Sequence, residues 1–338
     1  MAGQLTKSER APVGILLAGI DPIQVPDVAR EAEALGFESV WAPEDYPQRP
    51  ASVIAAMAAV ATTEIVVGTG VISLATRHPV VVAMEAAALA DAAPGRSRVG
   101  VGLGLPATLQ PLGCLPAHPL AYVRDRAMVV RELLAGTTLT CADPGLSLTD
   151  LSLDHPPDPA PPLYLGALGP RMLEMAGAVA DGVILSSLGT EAYLRWAVER
   201  IDTGRSDQDR PMPALTAFAW YHLAADDTTG RDALRSTVGG ALGALGPGPL
   251  TDADGWSADL DLLRQRSSSP LDLAPDHWLD KMVVAGDPDR CIAGILGRLN
   301  AGADTVIVCP MGADPMDQIR RTAELVLPAV RAERRARG

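Results

Sequence analysis

Short apolar runs, each followed by a stretch whose apolar positions recur at helical spacing, repeat from one end of the chain to the other. That alternation predicts parallel strands joined by crossover helices. The strands are predicted over residues 13–19, 39–43, 65–72, 97–104, 162–168, 182–187, 215–223 and 305–310. Strands covered on both faces carry continuous apolar runs, and VVGTGVI and TVIVCP have that form. Proline marks the helix starts at Asp21-Pro22, His78-Pro79 and Gly169-Pro170, where its missing N–H would be unpaired anyway, and Gly36 closes a helix. Eight such units predict an α/β fold, a single (β/α)8 barrel over residues 1–338, with its active site at the carboxyl ends of the strands. An open doubly wound sheet is the other arrangement that fits.

Two segments break the rhythm. Residues 137–161 are rich in Asp and Pro, and residues 224–281 contain GGALGALGPGPL and RQRSSSP, which read as flexible connectors around short helices. Both are expected as insertions on the carboxyl-terminal face. The second is either a lid or wall of the substrate pocket, or a dimer contact.

Composition narrows the function. Hydrophobic residues make up 48% and charged residues 20% of the 338, enough for a packed interior. The net charge of -13, from 41 acidic and 28 basic side chains, repels phosphate backbones and anionic lipids, so neither nucleic acid nor membrane is an expected partner. Lys7 and Lys281 are the only lysines; with abundant Ala, Gly and Pro, this bias suggests a G+C-rich, actinobacterial source. The polar start MAGQLTKSER lacks the apolar core of a signal peptide, and the longest apolar run, residues 53–61, is too short to span a bilayer, so a cytoplasmic location is expected. Cys114, Cys141, Cys291 and Cys309 lie far apart, without metal or redox spacing, and no metal site is expected.

Several residues carry candidate chemistry. Glu44 and Asp45 follow the second strand, where barrel catalytic groups collect, although a solvated turn would look the same. Arg77 and His78 precede a helix whose free N–H groups favour anions, and His78 would serve equally as a cap. Leu168, Gly169, Pro170 and Arg171 form a strand-to-helix turn suited to a phosphate, since the glycine lets amides approach and the arginine adds charge. Gly100, Gly102 and Gly104 lack the spacing and the following helix of a dinucleotide fingerprint; they are expected to clear space for a cofactor or substrate ring. Asp21 reads as a helix cap and Trp41 as barrel packing.

Residues 65–93, IVVGTGVISLATRHPVVVAMEAAALADAA, with the following PGRSRVGVGLG, resemble the third and fourth units of the luciferase-like superfamily of flavin monooxygenases and F-420-dependent oxidoreductases. GFESVWAPED resembles its second strand, LYLGALGPRMLEMAGAVADGVILSS its fifth and sixth units, and VAGDPDRCIAGILGRLNAGADTVIVCPMG its last. The resemblance implies a cis peptide at Gly70-Val71, a shelf for the cofactor ring, and a cofactor phosphate near Leu168 to Arg171; Arg77, from its place at a helix start, is a further candidate to meet the cofactor or its phosphate. It places Asp45 where several F-420 enzymes carry a proton-handling histidine, with Glu44 as its alternate. Leu105 and Pro106 stand where sugar-phosphate dehydrogenases of the family carry an acid, which counts against that activity. The implied function is hydride exchange between coenzyme F-420 and a small organic substrate, in a homodimer. FMN-dependent monooxygenation and a catalytically inactive flavin-binding barrel are the alternatives. A flavin-free aldolase or isomerase barrel would need a lysine on a strand, and neither lysine falls on a predicted one.

Overall fold

A computed structural model describes residues 10–143, 145–205 and 210–337 of the chain; Lys7 lies outside them. Eight parallel strands close into a barrel: β1 (Ala11–Leu16), β2 (Phe37–Ala42), β3 (Val66–Thr69), β4 (Ser97–Gly102), β5 (Leu163–Gly166), β6 (Gly182–Leu185), β7 (Ala214–Leu223) and β8 (Thr305–Pro310). Each pairs with the next, and β8 pairs with β1 through Val13↔Val306 to Ile15↔Val308. Closure settles the choice between a barrel and an open sheet, since no strand of this ring is left with an unpaired edge.

Alternate residues of each strand serve two cores. Val13, Ile15, Val40, Val67, Val99, Leu165, Val183, Ala217, Tyr221, Val306 and Val308 face outward and pack under the helices. Leu16, Trp41, Tyr164, Ile184, Phe218, Ile307 and Cys309 form a separate cluster inside the barrel. Trp41 lies edge-on to Tyr164 (5.7 Å) and Phe218 (5.9 Å), contacts worth about 0.5–1.5 kcal/mol each beyond the area they bury. This aromatic plug fills the middle of the barrel and leaves the carboxyl mouth above it as the place for chemistry.

The two insertions differ from expectation. Residues 137–161 follow a helix rather than a strand, so they do not reach the carboxyl-terminal face. They form an antiparallel pair, Leu139–Asp143 with Leu146–Leu151, laid along helix Pro119–Leu134, where Arg126 donates to the Gly145 carbonyl at 2.9 Å. The segment then returns beside the amino ends of β4 and β5, where the Pro162 carbonyl accepts from the Val99 amide. Residues 224–281 do leave from the carboxyl end of β7, but GGALGAL is no flexible connector: it completes a 19-residue helix, Asp227–Leu245. Its Gly239 lies so close to the Pro270 carbonyl that an added Cβ would stand 1.7 Å away, so this glycine serves packing. Leu234, Val238, Leu242, Trp256, Leu260, Trp278 and Leu279 give the segment its own buried core, and Trp256 stacks on Trp278 at 5.0 Å. A short strand, Val284–Gly286, then adds to the upper end of β7. Among the described residues no helix is long and apolar enough to cross a membrane.

Candidate active site

The third strand does not run on through residue 72 as expected. It stops at Thr69, the Gly70-Val71 peptide is cis, and the chain resumes as Ile72–Ser73, which pairs with β4 through Ile72↔Val101. The Gly70 amide donates to the Ala42 carbonyl at 2.8 Å, tying this shelf to β2. The glycines around it make room for the protein itself. A Cβ on Gly100 would stand 2.0 Å from the Thr69 carbonyl oxygen, one on Gly102 2.9 Å and one on Gly166 3.0 Å from Val71 methyls, and one on Gly68 2.3 Å from the Trp41 ring. Gly100 and Gly102 therefore clear space for the chain's own bulge and not directly for a ligand. Gly104, at φ +93, supports a turn instead.

Glu44 locks the shelf from below. Its side chain is 2% exposed and pairs with Arg77. It also accepts from the Tyr46 hydroxyl at 2.9 Å and from the amides of Ser73 and Ala51 at 3.2 and 3.0 Å. Burial alone would push this carboxyl up, but the Arg77 guanidinium and the two amides outweigh it and hold it below its ordinary range. Arg77 is thus turned toward Glu44 and, at 3.5 Å, Glu85.

Asp45 stands at the rim with much of its surface open to solvent. The concave walls and the neighbouring Glu44 charge raise its carboxyl above the ordinary value, and solvent screening at this open position tempers that rise. It is near enough to Cys309 that burial, with help from Asp45, pushes that thiol up to about 12. His78 and Asp21 do act as caps, His78 Nδ1 accepting from the Val80 amide at 3.3 Å and Asp21 Oδ1 from the Ile23 amide at 3.1 Å.

One strand beyond β4, Leu168 to Arg171 follow β5, whose Gly166 lies against Val71 of the shelf. Gly169 caps helix Pro170–Val179 with no side chain over it, and a Cβ there would meet nothing within 4 Å, so the amides around it are approachable. Leu168 is held by the Tyr193 hydroxyl, which donates to its carbonyl at 2.9 Å, while Arg171 extends into solvent. The structure thus gathers Glu44, Asp45, Gly70, Val71 and Arg77 at the ends of β2 and β3, and Leu168, Gly169, Pro170 and Arg171 after β5, whose end adjoins Val71.

Residues not singled out from the sequence complete the rim. Ala18, Trp220 and Met311 pack on the inner cluster, and His222 Nδ1 lies 2.7 Å from the Met311 carbonyl oxygen. Tyr46 and Ser73 belong to the Glu44 network. Position in a strand could have found His222, since it shares parity with Phe218 and Trp220, but ALTAFAWYHL carries apolar residues at both parities, which hides the one that faces inward. Among the described residues no three potential metal ligands cluster.

Comparison with known proteins fits this architecture. The family model for luciferase-like monooxygenases matches residues 6–305. An F-420-dependent glucose-6-phosphate dehydrogenase of Beutenbergia cavernae is 31% identical over 320 residues, 90% of this chain and 92% of its own. A 5,10-methylenetetrahydromethanopterin reductase of Methanolobus tindarius is 26% identical over 321 residues, 91% of this chain and 97% of its own. Among solved structures, the coenzyme F-420 dependent tetrahydromethanopterin reductase of Methanopyrus kandleri superposes with a TM-score of 0.81 at 23% identity, covering 94% of this chain and 99% of that one, a likeness of fold. With a family match along nearly its whole length and oxidoreductases among its relatives, the chain is an enzyme and belongs to the luciferase-like monooxygenase family.

Proposed function

We propose that the protein is an F-420-dependent oxidoreductase that exchanges hydride with a small organic substrate at the barrel mouth. The observation that carries this reading is the interruption of the third strand at Gly70-Val71, braced by Glu44 and Arg77 through Ser73, with the glycine-capped helix start after β5 beside it. Two of the relatives most similar in sequence are named as a methylenetetrahydromethanopterin reductase and an F-420-dependent dehydrogenase.

The residues present suit such a cofactor. Gly70 and Val71 offer a flat backbone surface, and Gly169 with the exposed Arg171 offers open amides and positive charge for a phosphate. Arg77 reaches the cofactor only through the shelf it braces. When bound, the deazaflavin supplies hydride chemistry that is largely indifferent to oxygen. Glu44 keeps the shelf in place and remains ionised. Asp45, on the shelf side of the rim, holds or releases the proton that accompanies hydride movement, a task its raised pKa suits. Leu105 and Pro106 after β4 offer no acid, which disfavours a sugar-phosphate substrate.

A homodimer forms part of the same proposal. Helices Ala51–Ala61 and Pro79–Ala92 are neighbours and leave Val53 (53% exposed), Val60 (75%), Val81 (44%) and Met84 (57%) in solvent, an apolar face suited to a second copy of the chain.

Titration of the purified protein with F-420 and FMN, each oxidised and reduced, followed by cofactor fluorescence, tests the reading. Saturable binding of F-420 with weaker or no binding of FMN is expected. Preference for FMN, with oxygen uptake on reduction, would reassign the protein as a monooxygenase.

A further inference from the structure

We propose that a cleft on the outside of the barrel, between helix Glu191–Gly204 and helix Pro288–Asn300, binds a small organic dianion, a phosphomonoester or a dicarboxylate, against the buried guanidinium of Arg298. This site is independent of the cofactor and substrate assigned to the mouth.

The cleft encloses about 280 Å³. Its walls are the start of the helix that follows β6, the helix that follows the Val284–Gly286 strand, and the chain around Asp280 and Lys281. Tyr193 and Ala197 of the first helix and Cys291 and Ile295 of the second belong to the core under the helices, so the cleft lies outside the strand ring. The two helices approach closely: a Cβ on Gly297 would stand 2.1 Å from Glu191 Oε1.

Arg298 sets the chemistry of this cleft. Its side chain forms part of the wall and the residue is 2% exposed. Nη1 donates to the Gly294 carbonyl at 3.0 Å and Nη2 to the carbonyls of Lys281 and Met282 at 3.2 and 2.8 Å, while Nε has no partner. Carbonyls satisfy donors but bring no countercharge. Burial pushes this guanidinium down to about 10, with the Glu191 charge opposing, so it is still a cation at neutral pH. The two other arginines buried among the described residues have a compensation that Arg298 lacks. Arg10 reaches Glu64 at 3.4 Å, and Arg126 lies 3.4 Å over the Tyr122 ring. A buried charge without an opposite partner is costly, and an anion in the adjoining space supplies what the chain does not.

The remaining charges set the valence of the ligand. Asp254 takes Lys281 at 2.9 Å, Glu191 takes Arg195 at 3.4 Å, and Asp280 is shared between Arg290 at 3.1 Å and Arg231 at 2.9 Å. Five cations, with Arg298 included, thus face three carboxylates, an excess of two positive charges in a protein whose net charge is -13. A dianion balances that excess, and arginine suits phosphate and carboxylate oxygens alike. The enclosed space admits a short carbon skeleton along with the charged group.

Isothermal titration calorimetry and differential scanning fluorimetry on the cofactor-free protein test this, at an ionic strength held constant with NaCl. The probes are inorganic phosphate, glycerol 3-phosphate and succinate. Saturable binding is expected, with Tm raised by about 4 °C when the probe exceeds its dissociation constant about a hundredfold. Ala293→Glu brings a carboxylate into the cleft from an exposed position of a helix, so affinity should fall about tenfold or more while the ligand-free Tm changes little. Arg298→Met should abolish binding; should that variant not fold, Ala293→Glu carries the test. Arg171→Met should leave the affinity unchanged, which separates the cleft from the turn after β5. Response to the two phosphates alone identifies a phosphomonoester and response to succinate a dicarboxylate, and each supports the proposal. Absence of saturable binding, a Tm rise that added NaCl reproduces, or affinity that Ala293→Glu leaves unchanged overturns it.

Discussion

Replacing Glu44 with Gln should loosen the shelf and the fold together. The carboxylate is 2% exposed and holds four partners, Arg77, the Tyr46 hydroxyl and the amides of Ser73 and Ala51. The neutral amide can still accept at one oxygen, but its NH2 group points donors at donors. Arg77, 18% exposed, keeps only Glu85 at 3.5 Å. Removing one partner of a buried pair costs about 3–5 kcal/mol, and the partial exposure of Arg77 argues for the lower end, about 3 kcal/mol. Unfolding entropy of about 2.1 cal/mol/K per residue, over the 338 residues, amounts to about 0.7 kcal/mol/K, so Tm should fall by about 4 °C. Because folding holds this carboxyl below its ordinary value of 4.5, its contribution is present above that value and lost as pH falls through the lowered one. The Tm gap between wild type and variant should therefore be full at neutral pH and close in acid. Differential scanning fluorimetry across pH, paired with F-420 titration at neutral pH, makes the measurement, and affinity should weaken along with Tm. A variant with unchanged Tm and unchanged affinity would refute the view that Glu44 braces the shelf.

Asp45→Asn should act in the opposite sense on stability. Folding raises this carboxyl, so the wild-type contribution is present in acid and lost as pH rises through the raised value, and the neutral Asn should be modestly more stable than wild type at neutral pH, with the gap closing in acid. Turnover of the variant should fall about 100-fold or more, with its pH dependence altered, as kcat-pH profiles will report. Val60→Asp combined with Met84→Asp should convert a dimer to a monomer in light scattering, at a cost to the fold of about 0.5 kcal/mol or less for each exposed site. A wild-type protein that is already monomeric refutes the proposed interface.

Much of this architecture was readable along the chain because its causes are local. An apolar run of strand length, a proline at a helix start and a closing glycine each act within a few residues, and eight repeats of them leave few closed arrangements. The turn at Gly70-Val71 was legible for a different reason, the family pattern around it. Local signals misled where glycine had two explanations. In GGALGAL the same residues that mark a loop let helix Asp227–Leu245 approach Pro270, and in GVGLG they accommodate Thr69 and Val71.

The chain by itself therefore determined the barrel, the order of its strands and the two patches of candidate residues at their carboxyl ends. Only the tertiary structure decided what those residues do. Arg77 meets Glu44 across 33 positions and becomes a brace, and His222 meets Met311 across 89 and acquires a fixed ring. Contacts of that span depend on closure of the barrel and on which face of each strand turns inward, and a fully apolar strand carries no period from which that face can be read.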